Sequence, residues 1–378
     1  MVYGWSRILH SLGQAWEDSA AMRGDFHFGA IQKLRAVAAL SVVFVHLFTQ
    51  WQRLGYAGHW PASLTAGVDL FFVISGFIMW ITTAGTGITP GAFVRKRLIR
   101  IVPLYWLLTS FVVAIALIAP NLMQSTMISP GYVAKSFLFI PAEHPVLRGE
   151  FMPVLTPGWT LELELPFYGL MALALFLPVR MRLLVLLTTL VAVACMHVLA
   201  PADTAFAFLT KDLVVEFGYG LLIGACLTFI ARWPAWTGPV LILAGFAAAV
   251  VFYDLAPLEW PHALMPGLPM AIVVLGAVVC DTSALRLPDL CLTRLGDASY
   301  SLYLTHGLFL SALLQLWRRI LPQPALWNWL AFSGVATIAC ALMSLVVYRF
   351  VELPLNGWVS RKVDDRLRQS QVAQLRVS

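Results

Sequence analysis

IQKLRAVAALSVVFVHLF, residues 31–48, is the stretch that decides the fold, because it is predominantly apolar and, continued to residue 50, long enough to cross a bilayer as a helix. Arg35 and His46 stand eleven residues apart within it. At 3.6 residues per turn this is about three turns, so both side chains project from one face, about 16 Å apart along the axis. Ionisable side chains inside a membrane are costly and mark functional sites by default. Arg35 and His46 are therefore the first candidate residues.

The remainder of the chain has the same apolar character. Of its 378 residues, 60% are hydrophobic and only 12% are charged, whereas about 25% would be charged in a soluble domain. The apolar runs are continuous and do not alternate, which excludes a transmembrane barrel. The sequence predicts an all-α polytopic membrane protein with about ten transmembrane helices in one bundle. The predicted spans are 31–50, 66–84, 99–119, 157–178, 182–200, 212–231, 237–254, 262–280, 297–316 and 327–349.

The basic residues predict the orientation of the chain. We divide it into an N-terminal cytoplasmic segment (1–30), a transmembrane domain (31–355) and a C-terminal cytoplasmic tail (356–378). With both termini in the cytoplasm, most of the 25 Lys and Arg residues lie on the inner side. The net charge of +6 follows from these loops, so we expect no nucleic-acid partner. The five cysteines show no metal-ligand spacing, so we expect neither a metal nor a disulfide framework.

The second predicted span contains GVDLFFVISGFIMW, residues 67–80. Asp69 is its only acid, and a carboxylate close to a histidine would fix the tautomer of that ring. Close helix packing is the alternative for Asp69 and the favoured interpretation for Ser75 and Gly76, which are small residues. Asp69 is therefore a candidate for substrate binding.

The third predicted span begins with RKRLIRIVPLYWLLT, residues 95–109. Arg97 and Arg100 are three residues apart and are neighbours on one helix face. A positive-inside anchor alone would explain this charge. Two guanidinium groups on one face would also bind the phosphates of a nucleotide, for which arginine is better suited than lysine.

Two glutamates enter an apolar run in TPGWTLELELPFYGL, residues 156–170. Glu162 and Glu164 are two residues apart, so they do not both face one cavity. Glu164 aligns with Thr160 and Tyr168 at helical spacing, which gives a polar stripe. A buried carboxylate needs partners, so we favour a role for Glu164 in binding or orienting a polar substrate.

The segment LGDASYSLYLTHGL, residues 295–308, carries a further polar stripe. Ser299 and His306 are seven residues apart and share a face, with Tyr303 beside it. Hydrogen bonding between helices is the alternative interpretation, and His306 is a rival to His46 as a general base. Farther along the chain, Glu352 is expected to form an anchoring ion pair with a cytoplasmic arginine.

No nucleophile elbow, P-loop or dinucleotide-binding motif is present in the sequence. Direct transfer through a general base therefore fits better than a covalent enzyme intermediate. A neutral imidazole such as that of His46 would take the proton from an attacking hydroxyl.

The motifs, taken in order, resemble the acyltransferase 3 family of integral membrane acyltransferases, and most closely its exopolysaccharide-modifying branch. The likeness covers about residues 30–355. In one motif this chain departs from many members, because Glu164 is followed by Leu165 where they have a second glutamate. The motifs are R-x10-H in the first span, GVDLFFVISGF in the second, RxxR followed by PLYW in the third, W-T-L-x-x-E-x-x-F-Y from Trp159 to Tyr168, and SYSLYLTH near the end.

The resemblance implies a membrane O-acyltransferase that moves an acyl group, with acetyl expected, from cytoplasmic acyl-CoA to a sugar hydroxyl. The acceptor would be an exopolysaccharide or its lipid-linked precursor, and the location a bacterial inner membrane. No metal is expected, and homo-oligomerisation is left open. It also implies His46 and Arg35 as the essential pair, Arg97 and Arg100 near the donor site, and a role for Glu164. With the residue patterns above, the predicted catalytic residues are His46, Arg35 and Glu164; the predicted donor-binding residues are Arg97, Arg100 and Tyr105; the predicted substrate-binding residues are Asp69, Trp159, Tyr168, Ser299, Tyr303 and His306.

Two alternatives come from other functional classes. A glycolipid or polysaccharide flippase would use the charged residues as a permeation path, although no internal repeat supports this interpretation. A component of a polysaccharide-export complex would use the polar stripes for helix association and would tolerate the loss of His46.

Overall fold

The computed structural model describes residues 28–119, 128–255 and 261–375, except 284, 286, 290 and 322–324. The predicted N-terminal segment 1–30 therefore lies almost entirely outside the described residues. Within them the chain is helical, and its one β-bridge is an isolated pair between Glu143 and Phe151. The all-α prediction is confirmed.

Fifteen α-helices are present in the described residues, and short 3-10 and π-helical turns join several of them. The α-helices are α1 (Gly29–Arg53), α2 (Gly67–Thr83), α3 (Pro90–Ile118), α4 (Pro130–Phe137), α5 (Trp159–Ala174), α6 (Val179–Met196), α7 (Ala205–Leu209), α8 (Val215–Ala225), α9 (Leu227–Ile230), α10 (Thr237–Val250), α11 (Leu268–Thr282), α12 (Leu292–Asp297), α13 (Ser299–Ile320), α14 (Leu326–Val347) and α15 (Leu353–Leu375).

The chain is a multi-pass membrane protein. Seven segments of the described residues are long and apolar enough to cross a bilayer, namely Gly29–Arg53, Ala62–Thr83, Pro90–Ile118, Val179–Leu199, Thr237–Leu255, Ala263–Thr282 and Leu326–Gln369. The other three predicted spans fall on α5, on α8 with α9, and on α13. The first two are short, with 16 residues in α5 and 11 in α8, and polar residues lower the hydropathy of α13. The predicted count of about ten spans is therefore not confirmed.

Helix α1 lies at the centre of the bundle, where it packs against α2, α11, α12, α13 and α14. Its first turn has no side-chain cap of its own. Instead, the Asp281 carboxylate near the end of α11 accepts hydrogen bonds from the backbone N–H groups of Ala30 (2.8 Å) and Ile31 (3.3 Å). A negative group at this position satisfies free N–H donors and opposes the helix dipole. It also fixes where the helix of Arg35 and His46 begins.

Helices α2 and α8 are in backbone contact. A Cβ atom at Gly220 would lie 2.0 Å from the Val73 carbonyl oxygen, and one at Gly76 would lie 2.0 Å from the Phe217 carbonyl oxygen. Only glycine permits this approach, which is how small residues bring membrane helices together. The predicted packing role is therefore confirmed for Gly76. Ser75 has a further contact, because its hydroxyl donates a hydrogen bond to Glu164 (2.8 Å).

The C-terminal helix α15 packs on α3. Arg95 and Asp364 form an ion pair across this contact (2.9 Å). The predicted boundary between residues 355 and 356 falls inside this helix. The first half of α3, which carries the arginine motif, is thus supported from outside the bundle by the polar end of the chain.

Candidate active site

Two cavities adjoin inside the bundle. The wall of the first, here named the inner cavity, includes Arg35, Arg97, Arg100 and Glu164. The wall of the second, here named the outer cavity, includes His46, Asp69, Trp159, His262 and His306. Val68 and Tyr303 line both cavities. Arg35 and His46 project from one face of α1, yet they line different cavities.

Arginine side chains give the inner cavity its positive charge. The Arg35 guanidinium donates to Ser299 Oγ (2.9 Å) and to Gln32 Oε1 (3.0 Å). Its partner Ser299 lies in the first turn of α13, so one face of α1 and the start of α13 hold the guanidinium in place. Arg35 is thus a cavity residue and does not extend to a lipid headgroup.

Arg97 and Arg100 bring further positive charge to the same cavity from α3. Arg97 Nη2 donates to Thr82 Oγ1 (2.9 Å), and its guanidinium carbon lies 5.6 Å from the centre of the Phe93 ring. Its buried Nε has no hydrogen-bond partner among the described residues. Arg100 is exposed. The exposed guanidinium of Arg100 therefore has N–H donors available to an anion.

Glu164 is the acceptor at the centre of a small network in the inner cavity. Its Oε1 accepts hydrogen bonds from the hydroxyls of Ser75 and Tyr168. Tyr168 is one turn along α5, as the predicted polar stripe requires. Glu162, in contrast, is 1% exposed, lines neither cavity and has no partner among the described residues. The two glutamates therefore have different environments, as their spacing predicts.

Two histidine rings meet in the outer cavity. The ring centres of His46 on α1 and His306 on α13 are 4.7 Å apart with planes at 70°. His46 Nδ1 lies 2.9 Å from the Val42 carbonyl oxygen, and His306 Nδ1 lies 2.7 Å from the Tyr303 carbonyl oxygen.

These backbone contacts determine the tautomers. A carbonyl oxygen only accepts, so each Nδ1 carries the hydrogen and donates it. In the neutral rings each Nε2 then keeps a free lone pair. His306 Nε2 is buried and has no partner among the described residues, whereas the half-buried ring of His46 lines the cavity. His46 therefore has the geometry of a general base that a substrate can reach.

Tyr303 stands between the two cavities. Its hydroxyl shares a 3.0 Å hydrogen bond with Thr160 Oγ1, which lines the inner cavity. Its ring contacts Phe71 edge to face, with ring centres 5.7 Å apart. Together with Val68 it forms the wall that a group passing from one cavity to the other would have to cross.

Asp69 lines the outer cavity and is 2% exposed. A histidine does lie beside it, as predicted, but that histidine is His262: its Nδ1 is 3.3 Å from Asp69 Oδ1 and 3.5 Å from Glu216 Oε1. The tautomer of His46 is set instead by the Val42 carbonyl. Asp69 thus belongs to a separate cluster on the wall of the outer cavity.

Most of the residues predicted for the site line one of the cavities. Ser299 and Tyr168 line the inner cavity, and Trp159 and His306 line the outer one. Tyr105 lines neither. It is fully buried, and its hydroxyl donates to the Ser136 carbonyl oxygen (3.0 Å), which ties α3 to α4. A donor-binding role for Tyr105 is therefore corrected to a structural one.

The predicted ion pair of Glu352 is also corrected. Its carboxylate accepts a hydrogen bond from Ser301 Oγ (2.5 Å), and no arginine of the described residues lies within 4.0 Å of it. Glu352 instead joins the π-helical turn Tyr348–Glu352, which follows α14, to α13.

Sequence reasoning missed Glu216 and His262, as well as Lys211 and Asp212 in the outer cavity. Glu216 could have been found, because it is an acid within the apolar span predicted at 212–231. His262 gave no signal, since it stands at the edge of a span and meets Asp69 only through the fold.

Comparison with known proteins adds two kinds of similarity. Residues 28–348 match the model of the acyltransferase 3 family, which is described as an acyltransferase domain. The exopolysaccharide production protein ExoZ of Rhizobium meliloti (strain 1021) is 36% identical over 308 residues, which cover 79% of this chain and 91% of ExoZ.

The O-acetyltransferase OatA of Staphylococcus aureus (strain NCTC 8325 / PS 47) is 23% identical over 360 residues. These residues cover 85% of this chain but only 56% of OatA. No solved structure is significantly similar to the chain.

Proposed function

Because the chain belongs to the acyltransferase 3 family and is a membrane acyltransferase, we propose that it transfers an acetyl group from acyl-CoA in the inner cavity to a sugar hydroxyl in the outer cavity. The acceptor would be an exopolysaccharide or its lipid-linked precursor, in keeping with the name of the relative ExoZ, an exopolysaccharide production protein. The observation that carries the proposal is the shared wall of Val68 and Tyr303, where a basic cavity and a histidine-lined cavity meet.

The inner cavity suits the donor. Coenzyme A carries phosphates, and guanidinium groups bind phosphate oxygens through strong, charge-assisted hydrogen bonds. Arg97 and Arg100 are one turn apart on α3, and both line the inner cavity. Arg35 lies deeper in the bundle, on the helix that also carries His46. We place the phosphates near the α3 arginines and the thioester near the wall.

The outer cavity suits the acceptor. Sugars stack on aromatic rings and hydrogen-bond to carboxylates and hydroxyls. Trp159 supplies such a ring, and Asp69 and Lys211 supply polar groups on the same cavity wall. A hydroxyl directed at His46 Nε2 would then face Tyr303 and the thioester beyond it.

The proposed reaction is one direct displacement. His46 Nε2 takes the proton of the acceptor hydroxyl while the hydroxyl oxygen forms a bond to the thioester carbonyl carbon. Collapse of the tetrahedral species breaks the carbon–sulfur bond, and the departing thiolate receives the proton. The Tyr303 hydroxyl or the Arg35 guanidinium would stabilise the oxyanion, as hydrogen-bond donors preorganised at that position do.

The orientation is part of the proposal. With both termini in the cytoplasm of a bacterial inner membrane, the arginine motif of α3 lies on the inner side, where acyl-CoA is available. Membership of the family favours this transferase over the predicted alternatives, a flippase or an export component.

Mass spectrometry of the surface polysaccharide tests the proposed reaction. Polysaccharide from the host should be heavier by one acetyl group per modified unit than polysaccharide from a strain that lacks the gene. Growth of the host on isotopically labelled acetate should shift that mass difference accordingly. An unchanged mass with reduced export would contradict the transferase and support the flippase, and a different mass difference would replace acetyl by another acyl group.

A further inference from the structure

Asp69, Glu216 and His262 form a compact cluster beside the outer cavity, apart from the histidine pair. One ligand atom from each residue lies within 4.8 Å of the others. The residues come from three separate elements: Asp69 from the first turn of α2, Glu216 from the first turn of α8, and His262 from the residue before the π-helical turn Ala263–Gly267. Three elements thus direct their side chains to one point.

The two carboxylates of this cluster are buried, and three of their four oxygens lack a hydrogen-bond partner among the described residues. Glu216 is 0% exposed, and neither of its oxygens accepts a hydrogen bond from any residue that the structure describes. Asp69 is 2% exposed, and its Oδ1 has no hydrogen-bond partner within the same part of the chain. Two buried carboxylates are costly as neighbouring negative charges, so a cation or a shared proton must accompany them.

No basic side chain of the described residues provides that cation. Apart from His262, no charged nitrogen there lies within 4.0 Å of either carboxylate. Lys211 lines the same cavity, but its ammonium group lies over the Phe208 ring, 5.3 Å from the ring centre. Asp212 is also close and adds a further negative charge, although its carboxylate accepts a hydrogen bond from the Ala263 N–H (3.1 Å).

The separations within the cluster suit a bound ion. His262 Nδ1 lies 3.3 Å from Asp69 Oδ1 and 3.5 Å from Glu216 Oε1. Both distances exceed those of an ordinary N–H···O hydrogen bond, which is about 2.9–3.0 Å. Around a tetrahedral zinc ion with bonds of about 2.0–2.1 Å, neighbouring ligand atoms lie about 3.3 Å apart.

Gly267, at the end of the π-helical turn Ala263–Gly267, leaves space for the site because it has no side chain. A Cβ atom at Gly267 would lie 2.9 Å from both Cγ and Oε1 of Glu216. Any other residue would therefore press on the carboxylate that lies deepest in the cluster. The turn brings the backbone close to Glu216 but donates no hydrogen bond to its oxygens.

We infer that Asp69, Glu216 and His262 bind a divalent transition-metal ion, with Zn²⁺ the best fit. One imidazole and two carboxylates favour such an ion over Mg²⁺ or Ca²⁺, which prefer oxygen ligands alone. Three protein ligands leave a fourth position open. Asp69 and His262 line the outer cavity, so that position is directed at the cavity. This inference replaces the expectation, drawn from cysteine spacing, that no metal is bound.

Metal analysis of the purified full chain tests the site without any acyl donor or acceptor. After incubation with ZnCl2 and removal of free ions, the wild type should retain about one Zn²⁺ per chain. The variants Glu216→Gln and His262→Ala should bind at least about 10-fold more weakly, since each loses a direct ligand. Parallel samples incubated with MnCl2 and MgCl2 show which of the three ions the chain retains best.

The matched control is Glu162→Gln. Glu162 is also a buried carboxylate without a partner in the described part of the chain, but it stands alone. This variant should keep the wild-type zinc content. If the wild type and Glu216→Gln retain equal zinc, the two carboxylates share a proton instead and the inference is wrong.

A second measurement covers the case in which a variant does not fold. The thermal midpoint of the wild type should fall by several degrees in EDTA and recover on addition of ZnCl2, because a ligand of the folded state stabilises it. A midpoint that EDTA leaves unchanged would contradict a bound ion. Neither readout depends on the proposed acyl transfer, so the two proposals can fail separately.

The role of the ion rests on the proposed function. An ion whose open position is directed at the outer cavity would hold an acceptor hydroxyl near His46. Chelation should therefore raise the KM for the acceptor at least about 10-fold and leave the KM for acyl-CoA unchanged. An equal rise in both constants would contradict this positioning role.

Discussion

The inner and outer cavities differ in the kind of polar group that lacks a partner. In the inner cavity, Arg35 and Glu164 each have two hydrogen-bond partners within the protein, and the buried group without one among the described residues is a donor, Arg97 Nε. In the outer cavity, the buried groups without a partner in that part of the chain are acceptors, His306 Nε2 and Asp69 Oδ1. Such groups indicate places where a proton, an ion or a substrate completes the structure. Under the proposed function, the difference separates a basic donor side from an acceptor side that takes up a proton or a cation.

The largest effect should come from His46→Ala, which removes the proposed base from the outer cavity. We expect the rate of acyl transfer to fall about 10²- to 10⁴-fold, with little change in the KM for acyl-CoA. His59→Ala is the matched control, because His59 is exposed and lines neither cavity. Transfer assays with purified protein give both constants. Full activity in the His46→Ala variant would show that His46 is not the general base and that the reaction does not depend on the outer cavity.

The next effect concerns the inner cavity. Arg97→Ala should raise the KM for acyl-CoA about 10- to 100-fold, since a hydrogen bond to a charged group contributes about 1.5–3 kcal/mol. Arg95→Ala is the control: Arg95 is two residues away and pairs with Asp364 outside the cavity. If both variants raise the KM equally, the arginines act through general charge and the contrast between the cavities is lost.

A smaller effect is expected at the wall between the cavities. Tyr303→Phe removes the hydroxyl bonded to Thr160 and should lower kcat about 3- to 10-fold, which corresponds to one neutral hydrogen bond. Tyr132→Phe is matched to it, because that hydroxyl bonds the Met152 carbonyl outside both cavities. Both variants should lose about 1 kcal/mol of stability. Only Tyr303→Phe should lower kcat. An equal fall of kcat in Tyr303→Phe and Tyr132→Phe would show that the Tyr303 hydroxyl has only a structural role.

The smallest effect is a pH dependence in the loop that leads to Thr156 on the outer cavity. Burial lowers the pKa of His144, whose Nδ1 accepts hydrogen bonds from the N–H groups of Val146 and Leu147. The neutral ring is thus favoured by the fold. Its contribution is full above the unfolded pKa of about 6.5 and is lost as the pH falls through the lower folded pKa.

Hydrogen exchange measures this effect. After correction for intrinsic rates, the amides of Val146 and Leu147 should be less protected at pH 5 than at pH 7. His144→Ala should show low protection at both values. Equal protection of the wild type at both values would mean that the loop is held by other contacts.

The sequence predicted the helical class and the residues of both cavities, but not how these residues are divided between them. Helical periodicity placed Arg35 and His46 on one face of α1. It could not show that side chains of two other helices, Val68 and Tyr303, come between them. That division depends on tertiary packing, which no pattern within one helix reports.

Tyr105 shows the same limit for a single residue. It is one helical turn after Ile101, which lines the inner cavity, so helical spacing alone is compatible with the predicted donor contact. Its burial against α4, where its hydroxyl donates to the Ser136 carbonyl oxygen, depends on tertiary packing.

The cluster of Asp69, Glu216 and His262 could not be read from the chain, since 147 residues separate Asp69 from Glu216. Its acids were visible as polar residues in apolar spans, but their meeting depends on the contact of α2 with α8. Gly76, one of the glycines that permit this contact, predicted close helix packing but gave no indication of a site.

The backbone contact at Gly76 and Gly220 determines which side of the dividing wall can move. With α2 held against α8 by main-chain atoms, Val68 belongs to a fixed frame. Under the proposed function, an opening for the acyl group would therefore come from the α13 side, by rotation of the Tyr303 side chain or a shift of its helix. The size of the acyl group that passes would then be limited by how far the Tyr303 ring can rotate.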